Sequence, residues 1–216
     1  MELLYEDRHL WVAVKPPHLL SEQTPQKDGF ADLLAAQNKG YVGVIHRLDR
    51  GVGGVMVYAK TQACAAKLSA AVQNHEIKKE YLAVVCGKPA EEKATLRDLL
   101  FHDRFANKTY VVDRARKGVK EAILDYVVLD TIQSDEYGRL SLLKITLHTG
   151  RTHQIRAQFS HRGLPLLGDR KYGGQAAASI ALFSHSLFFS HPITGKALAF
   201  AKEPDQIPWE WFSKPE

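Results

Sequence analysis

His46-Arg47-Leu48-Asp49-Arg50 places one carboxylate among cationic and ionisable neighbours. An aspartate with an ordinary pKa of about 3.9 is ionised at neutral pH, and adjacent arginines favour that form further. Such a carboxylate can act as nucleophile or base without a cofactor. The same five residues also suit a surface turn in which Asp49 pairs with Arg47 or Arg50, so the pentapeptide alone leaves both readings open. A second constellation is Thr149-Gly150-Arg151-Thr152-His153-Gln154-Ile155-Arg156. Here Gly150 frees a turn into a helix that Thr152 caps, with Ile155 and Phe159 as its buried face and Gly163 ending it before Pro165. Arg156 then lies beside a buried stripe, from which its guanidinium reaches a carboxylate elsewhere, Asp49 being the candidate. An arginine left at the surface is the other reading. Arg114, Arg116, Lys117 and Lys120, beside Tyr110, either touch phosphates or form a solvated charged loop that also holds Asp113.

Other chemistries lack their parts. Gly51-Val52-Gly53-Gly54 supplies only the first glycines of a dinucleotide fingerprint, and Met56 stands at the third position. No phosphate-binding G-x-x-x-x-G-K-[ST] loop and no G-x-S-x-G nucleophile elbow occurs. The histidines His148, His153, His161, His185 and His191 follow no metal-ligand spacing, so no metal is expected.

The elements that must position these residues read as a mixture of strands and helices. Leu10 to Val14 is a short buried strand stopped by Lys15-Pro16-Pro17. After a loop to about Gly29, Phe30 to Gln37 forms a short helix ending near Gly40. Val42 to Ile45 enters the Asp49 loop, and Val55 to Tyr58 resumes as a strand. Thr61 caps a helix running to about His75, with Cys64, Leu68 and Val72 at helical spacing on its core face. Glu80 to Cys86, apolar on both faces, is a central strand. Asp103 to Lys120 reads as polar and irregular. Ile123 to Leu129 and Leu140 to Leu147 are antiparallel strands joined by a turn at Asp135 to Arg139.

The chain has 216 residues, 45% of them hydrophobic, and no Pro-rich, Gly/Ser-rich or like-charge linker, which predicts one domain over residues 1–216. Its 29 lysines and arginines against 24 acidic residues point modestly to a polyanionic partner such as nucleic acid, or to an anionic membrane surface. Cys64 and Cys86, far apart and without a C-x-x-C pair, read as buried thiols in a reducing compartment. The acidic start and the lack of any long apolar run predict a cytoplasmic protein without a signal peptide or membrane span.

In this order along the chain, these residues resemble the RluA-type pseudouridine synthase family. Leu10 to Pro17 resembles its K-P-x-G strand, His46-Arg47-Leu48-Asp49 its H-R-L-D core, and Lys79 to Val84 its K-x-Y-x-A-x-V strand. Gly150 to Arg156 is similar to the G-R-x-H-Q-I-R signature, and Pro165 to Gly173 to the P-L-x-G-D-x-x-Y-G segment. His191-Pro192-Ile193-Thr194-Gly195 completes the series. The chain departs from the family where Val52-Gly53-Gly54 replaces the usual T-S-G, where Pro17 replaces a glycine, and at Phe183-Ser184-His185. With no RNA-binding extension before Leu10, it is similar to short members that carry only the catalytic domain.

The resemblance implies an α+β fold: a mixed domain on a largely antiparallel, bent sheet, with an RNA cleft across its middle. It implies an isomerase that converts uridines of ribosomal or transfer RNA to pseudouridine with no cofactor and no metal, working as a monomer on structured RNA. Asp49 is the implied catalytic residue, as nucleophile or base, with Arg156 orienting it. Tyr81 is implied to flank the uracil and assist at C5, although a buried core tyrosine also fits that position. Since a stacked uridine hides C1′ and C6, the base must be flipped out, and Arg47 is a candidate to fill the gap. Arg151, Lys79, Arg170 and Lys171 are candidate phosphate contacts. Two other readings stand beside this one: a non-catalytic RNA-binding or RNA-folding module, and a glycosidase-like hydrolase, which would want a second carboxylate.

Overall fold

The structure, a computed structural model, describes residues 1–38 and 40–212. In chain order these form β1 (Glu2–Glu6), β2 (Leu10–Lys15), α1 (Phe30–Asn38), β3 (Gly43–Val44), β4 (Gly53–Ala59), α2 (Gln62–Gln73) and β5 (Lys78–Cys86). Then follow β6 (Lys93–Asp103), β7 (Lys108–Val112), β8 (Val119–Ser134), β9 (Gly138–Leu147), α3 (Gln154–His161), β10 (Leu182–Ser190) and β11 (Ala197–Ala201). Short 3-10 turns lie at Arg170–Tyr172 and Trp209–Trp211. The chain packs as two compact units, residues 1–79 with 183–204, and residues 80–182 with 205–216. The expected domain over residues 1–216 includes residue 39 and residues 213–216, which lie outside the described residues. Among the described residues no helix is long and apolar enough to cross a membrane.

In the first unit, β2 pairs antiparallel with β1 and β4, β3 adds to the end of β4, and β11 pairs antiparallel with β10. Alternation along the strands sends Leu10, Val12, Val55 and Val57 to one face, where Cys64 and Leu68 of α2 meet them. Thr61 Oγ1 accepts the Cys64 amide at 3.2 Å, so the expected cap is present. The opposite face carries Tyr58, whose ring centroid lies 5.9 Å from that of Phe30 on α1. The His191 segment is a turn between β10 and β11. His191 Nδ1 accepts the amides of Ile193 and Thr194, and Nε2 lies 2.8 Å from the Asp7 carboxylate, which itself accepts the amides of His9 and Leu10.

β10 runs parallel to β4, pairing Ser184 with Gly54. Gly54 has φ +126, and a Cβ there would lie 2.3 Å from Ser184 O and 2.5 Å from Ser184 N. Gly54→Ala must therefore adopt a strained backbone and push a neighbouring strand away, an expected loss of about 2–3 kcal/mol. Urea unfolding measures it, and an unchanged midpoint would mean that β10 does not approach β4 this closely.

In the second unit β5, β9, β8, β6 and β7 form an all-antiparallel succession. The β8–β9 hairpin extends well beyond the expected strands, and its register shifts between Val128 and Asp130. Residues 103–120 are irregular only in part: β6 and β7 form a second hairpin up to Val112, and residues 113–118 connect it to β8 without a strand. β6 escapes an apolar reading since only Leu96 and Leu100 are buried along it, the other positions being partly or fully exposed. Leu82, Val84, Leu140 and Leu142 pack with Leu167, Ala181 and Phe212.

Candidate active site

The Asp49 loop leaves β3 and is held by its own backbone and by one serine. Ser21 Oγ donates to Leu48 O at 2.9 Å and accepts the Leu48 amide at 3.0 Å. Tyr58 Oη donates to Ser21 O at 3.0 Å, tying that serine to β4. On the other side of Asp49, the His18 amide donates to Arg50 O at 2.6 Å and Arg50 Nε to His18 O at 3.1 Å. The Val52 amide closes a turn on Asp49 O at 2.9 Å. Leu48 is buried while Arg47 and Arg50 are exposed, so Asp49 stands half-buried where the loop turns from core to surface. Arg47 pairs with Glu22 at 3.1 Å, an exposed ion pair of small worth that leaves the side chain able to move.

A buried ammonium lies behind this loop. Lys15, fully buried, donates to Pro16 O at 2.9 Å and Leu19 O at 2.8 Å, folding the tandem-proline segment round itself. Burial brings its pKa down to about 8, against the opposing pull of Asp49 and Glu22. Lys79, the candidate phosphate contact at the start of β5, is also brought to about 8 by burial. It faces His46, whose own pKa burial and then Lys79 push well below the ordinary value, so His46 is neutral and its Nε2 accepts the Val57 amide at 3.3 Å.

These two lysines fix a pH response. Between about 8 and an ordinary 10.5 the unfolded chain holds more protons at both sites than the folded one, so stability rises as pH increases through this interval. The raised pKa values of the Cys64 and Cys86 thiols act in the opposite sense from about 9 upward, and those of the buried Tyr58 and Tyr172 above about 10. Urea midpoints measured between about pH 7.5 and 9 are expected to rise, less steeply in Lys79→Met. A flat profile would place both ammonium groups in solvent.

In the second unit α3 begins otherwise than expected. Gly150 is not in the left-handed region, and His153, with φ 52, makes the turn instead. His153 occupies the N-cap position without a side-chain cap, so Thr152 is not the cap, and its carbonyl accepts Thr109 Oγ1 at 2.8 Å. Gln154 fixes the turn instead, its Oε1 accepting the Arg151 amide at 3.0 Å and Thr149 Oγ1 at 2.8 Å. Ile155 and Phe159 are buried and Gly163, φ 72, follows the helix, both as expected.

Arg156 is buried and forks onto Asp169: Nε to Oδ2 at 2.6 Å and Nη2 to Oδ1 at 2.8 Å. Its guanidinium also lies 4.9 Å from the centre of the Tyr172 ring, a cation–π contact. The carboxylate met by these two nitrogens is thus Asp169, where the sequence offers Asp49 as candidate. Tyr172 Oη accepts the Thr109 amide at 2.7 Å and lies 3.0 Å from His153 Nδ1. Tyr81 is buried in β5, opposite Ile145 of β9. Arg151 Nε donates to Glu121 O at 2.9 Å and Lys171 Nζ to Asn107 O at 3.0 Å, and Arg170 is exposed beside Lys171. Asp49, Arg47 and Lys79 belong to the first unit, and Tyr81, Arg151, Arg156, Arg170 and Lys171 to the second. Among the described residues no group of three or more His, Cys, Asp or Glu is placed to hold a metal ion.

A profile of the RNA pseudouridylate synthase family matches residues 9–161, a stretch containing Asp49, Tyr81 and Arg156. The chain belongs to this family. Among its relatives, ribosomal large subunit pseudouridine synthase D of Pseudomonas aeruginosa is 32% identical over 97% of this chain and 70% of its own length. tRNA pseudouridine synthase C of Pasteurella multocida is 30% identical over 95% of this chain and 92% of its own. Human RNA pseudouridylate synthase domain containing 1 superposes with a TM-score of 0.78 at 22% identity, over 94% of this chain and 83% of that one, which shows the fold. The RluA-type resemblance and the α+β pseudouridine synthase fold are both confirmed, and this synthase is an isomerase acting on RNA. Sequence reasoning missed Lys15, Ser21, Asp169 and Tyr172 as parts of the site's support. Lys15, Asp169 and Tyr172 stand inside the family-like segments, which was the available signal.

Proposed function

We propose that this synthase isomerises uridines in structured ribosomal or transfer RNA, acting as a monomeric, cytoplasmic, single catalytic domain over residues 1–216, with Asp49 as its catalytic residue. The reaction breaks N1–C1′, rotates the freed uracil, joins C5 to C1′ and releases the C5 proton to solvent, while N1 takes up a proton in its place. Neither an external oxidant nor a second substrate is needed for that balance. Asp49 acts at the target ribose or base as nucleophile or base. Tyr81 is assigned to the uracil, with its phenol assisting removal of the C5 proton, and Arg156 to electrostatic support of the carboxylate. The observation that carries the reading is the Asp49 loop itself. A half-buried carboxylate is pinned through Ser21 to a core strand beside the buried Lys15 ammonium, an investment of polar burial that a mere surface turn does not require.

Flipping the target uridine costs a few kcal/mol, and Arg47, held only by an exposed ion pair, is assigned to the vacated stack. Arg151, Arg170 and Lys171 are assigned to phosphates, Lys79 only below the pH at which its charge is lost. The test is release of tritium to water from ribosomal and transfer RNAs labelled at uridine C5. Release from one class names the substrate. Release from neither, on RNA taken from cells lacking the protein, removes the substrate assignment and favours an RNA-folding role.

A further inference from the structure

The β6–β7 hairpin presents an outer face that alternates aromatic and cationic side chains. Phe101 lies opposite Tyr110 and Asp103 opposite Lys108, so these four share one face. The Arg116 guanidinium lies 4.9 Å from the Phe101 ring centre and the Lys108 ammonium 5.6 Å from that of Tyr110. The other face is anchored: His102 Nδ1 lies 3.0 Å from Thr109 Oγ1, and the Thr109 amide donates to Tyr172 Oη at 2.7 Å.

At the tip stands Phe105, its side chain wholly in solvent at 105% relative exposure. A lone exposed apolar residue is ordinary, but the backbone that carries this one is held in place. The Asp103 carboxylate accepts the amides of Phe105 at 2.8 Å and Ala106 at 3.1 Å. Asn107 turns through the left-handed region, φ 45, and its carbonyl accepts Lys171 Nζ at 3.0 Å. Arg104 adjoins Phe105 in the turn and Lys108 opens β7 opposite the Asp103 that serves the turn, while Arg116 lies farther along the hairpin over Phe101. No broad apolar patch surrounds Phe105 for a protein partner or a second copy to cover, since Arg104, Ala106 and Asn107 flank it. An exposed ring on a turn whose backbone is fixed, in a hairpin that also carries Arg104 and Lys108, suits a base whose phosphates need neutralising.

We infer that Phe105 is a stacking platform for an unpaired base of the RNA away from the isomerised uridine, with Arg104 and Lys108 on the flanking phosphates. The inference rests on the RNA reading above and deepens it by placing a second point of contact. Filter binding to the RNA class that releases tritium tests it, with turnover measured in parallel. Phe105→Ala should bind about tenfold more weakly while keeping the wild-type rate at saturating RNA, and Phe105→Trp should bind as wild type. Emission from the new tryptophan, taken as the difference from wild type, should be quenched by RNA. Because the ring packs against nothing, both variants should unfold at the wild-type midpoint.

Equal affinity of Phe105→Ala and wild type overturns the inference. So does a concentration-dependent dimer in sedimentation velocity that Phe105→Ala abolishes, which would make the tip a self-association surface. If wild type releases no tritium from any RNA, the substrate assignment fails, whereas weaker binding of the same RNA by Phe105→Ala still supports the stacking contact.

Discussion

Asp49→Asn is expected to bind RNA as wild type does and to release tritium at a rate lower by on the order of 10³-fold or more. The substitution removes the negative charge and both the nucleophile and the base while leaving the size of the side chain nearly unchanged. The backbone bonds described above for the loop leave its side chain out. They run through Leu48, Arg50 and the Asp49 carbonyl to Ser21, His18 and Val52. Lys15 loses one of the two carboxylates that oppose its loss of charge, so its pKa should fall further below about 8. Turnover surviving in Asp49→Asn would reject the assignment of Asp49, and loss of RNA binding along with turnover would make the loop a binding element.

The largest loss of stability is expected from Asp169→Asn. It leaves the Arg156 guanidinium buried opposite a neutral amide, where both side chains of the pair are at most 6% exposed. Breaking one partner of such a pair costs about 3–5 kcal/mol, a large part of the stability of a domain this size. The consequences extend beyond the ion pair. The Asp169 carbonyl accepts the amides of Tyr172 and Gly174, and Tyr172 in turn meets Arg156, Thr109 and His153. The double variant Arg156→Met with Asp169→Leu, which removes both charges, should recover much of the loss, since an apolar pair of similar volume spares the desolvation of two ions. Urea midpoints of the single and double variants give the coupling. Additive losses would mean that the two side chains do not meet.

What the sequence made legible follows from how local each determinant is. The apolar runs of β2, β4 and β5 and the Thr61-capped α2 are set by short-range pattern, and they stand within a few residues of where that pattern places them. Asp49, Tyr81 and Arg156 are visible as chemistry because each sits in a dense motif. The partners are not visible, because they come from folding. Arg156 meets Asp169 across the turn that follows α3, and Ser21 meets Leu48 from a loop whose composition reads only as a connection. Lys15 belies its residue type, since a lysine ending an apolar strand is expected to reach water and this one is enclosed by the carbonyls of its own following loop. The turn before α3 shows the limit of composition most directly. Gly150 is available for the left-handed conformation, yet His153 takes it, because Gln154 secures the preceding backbone.

The pairing of Ser21 with Leu48 also bears on time. The Leu48 amide is buried and bonded to the side-chain oxygen of Ser21, whose backbone carbonyl is tied to Tyr58 of β4, so water reaches that amide only when the serine moves away. Its deuterium uptake therefore belongs with the slow class of the sheet rather than with the fast class of surface loops. The residue beside the proposed catalytic carboxylate then keeps the clock of the core, and under that proposal the backbone that carries the aspartate is set before RNA arrives.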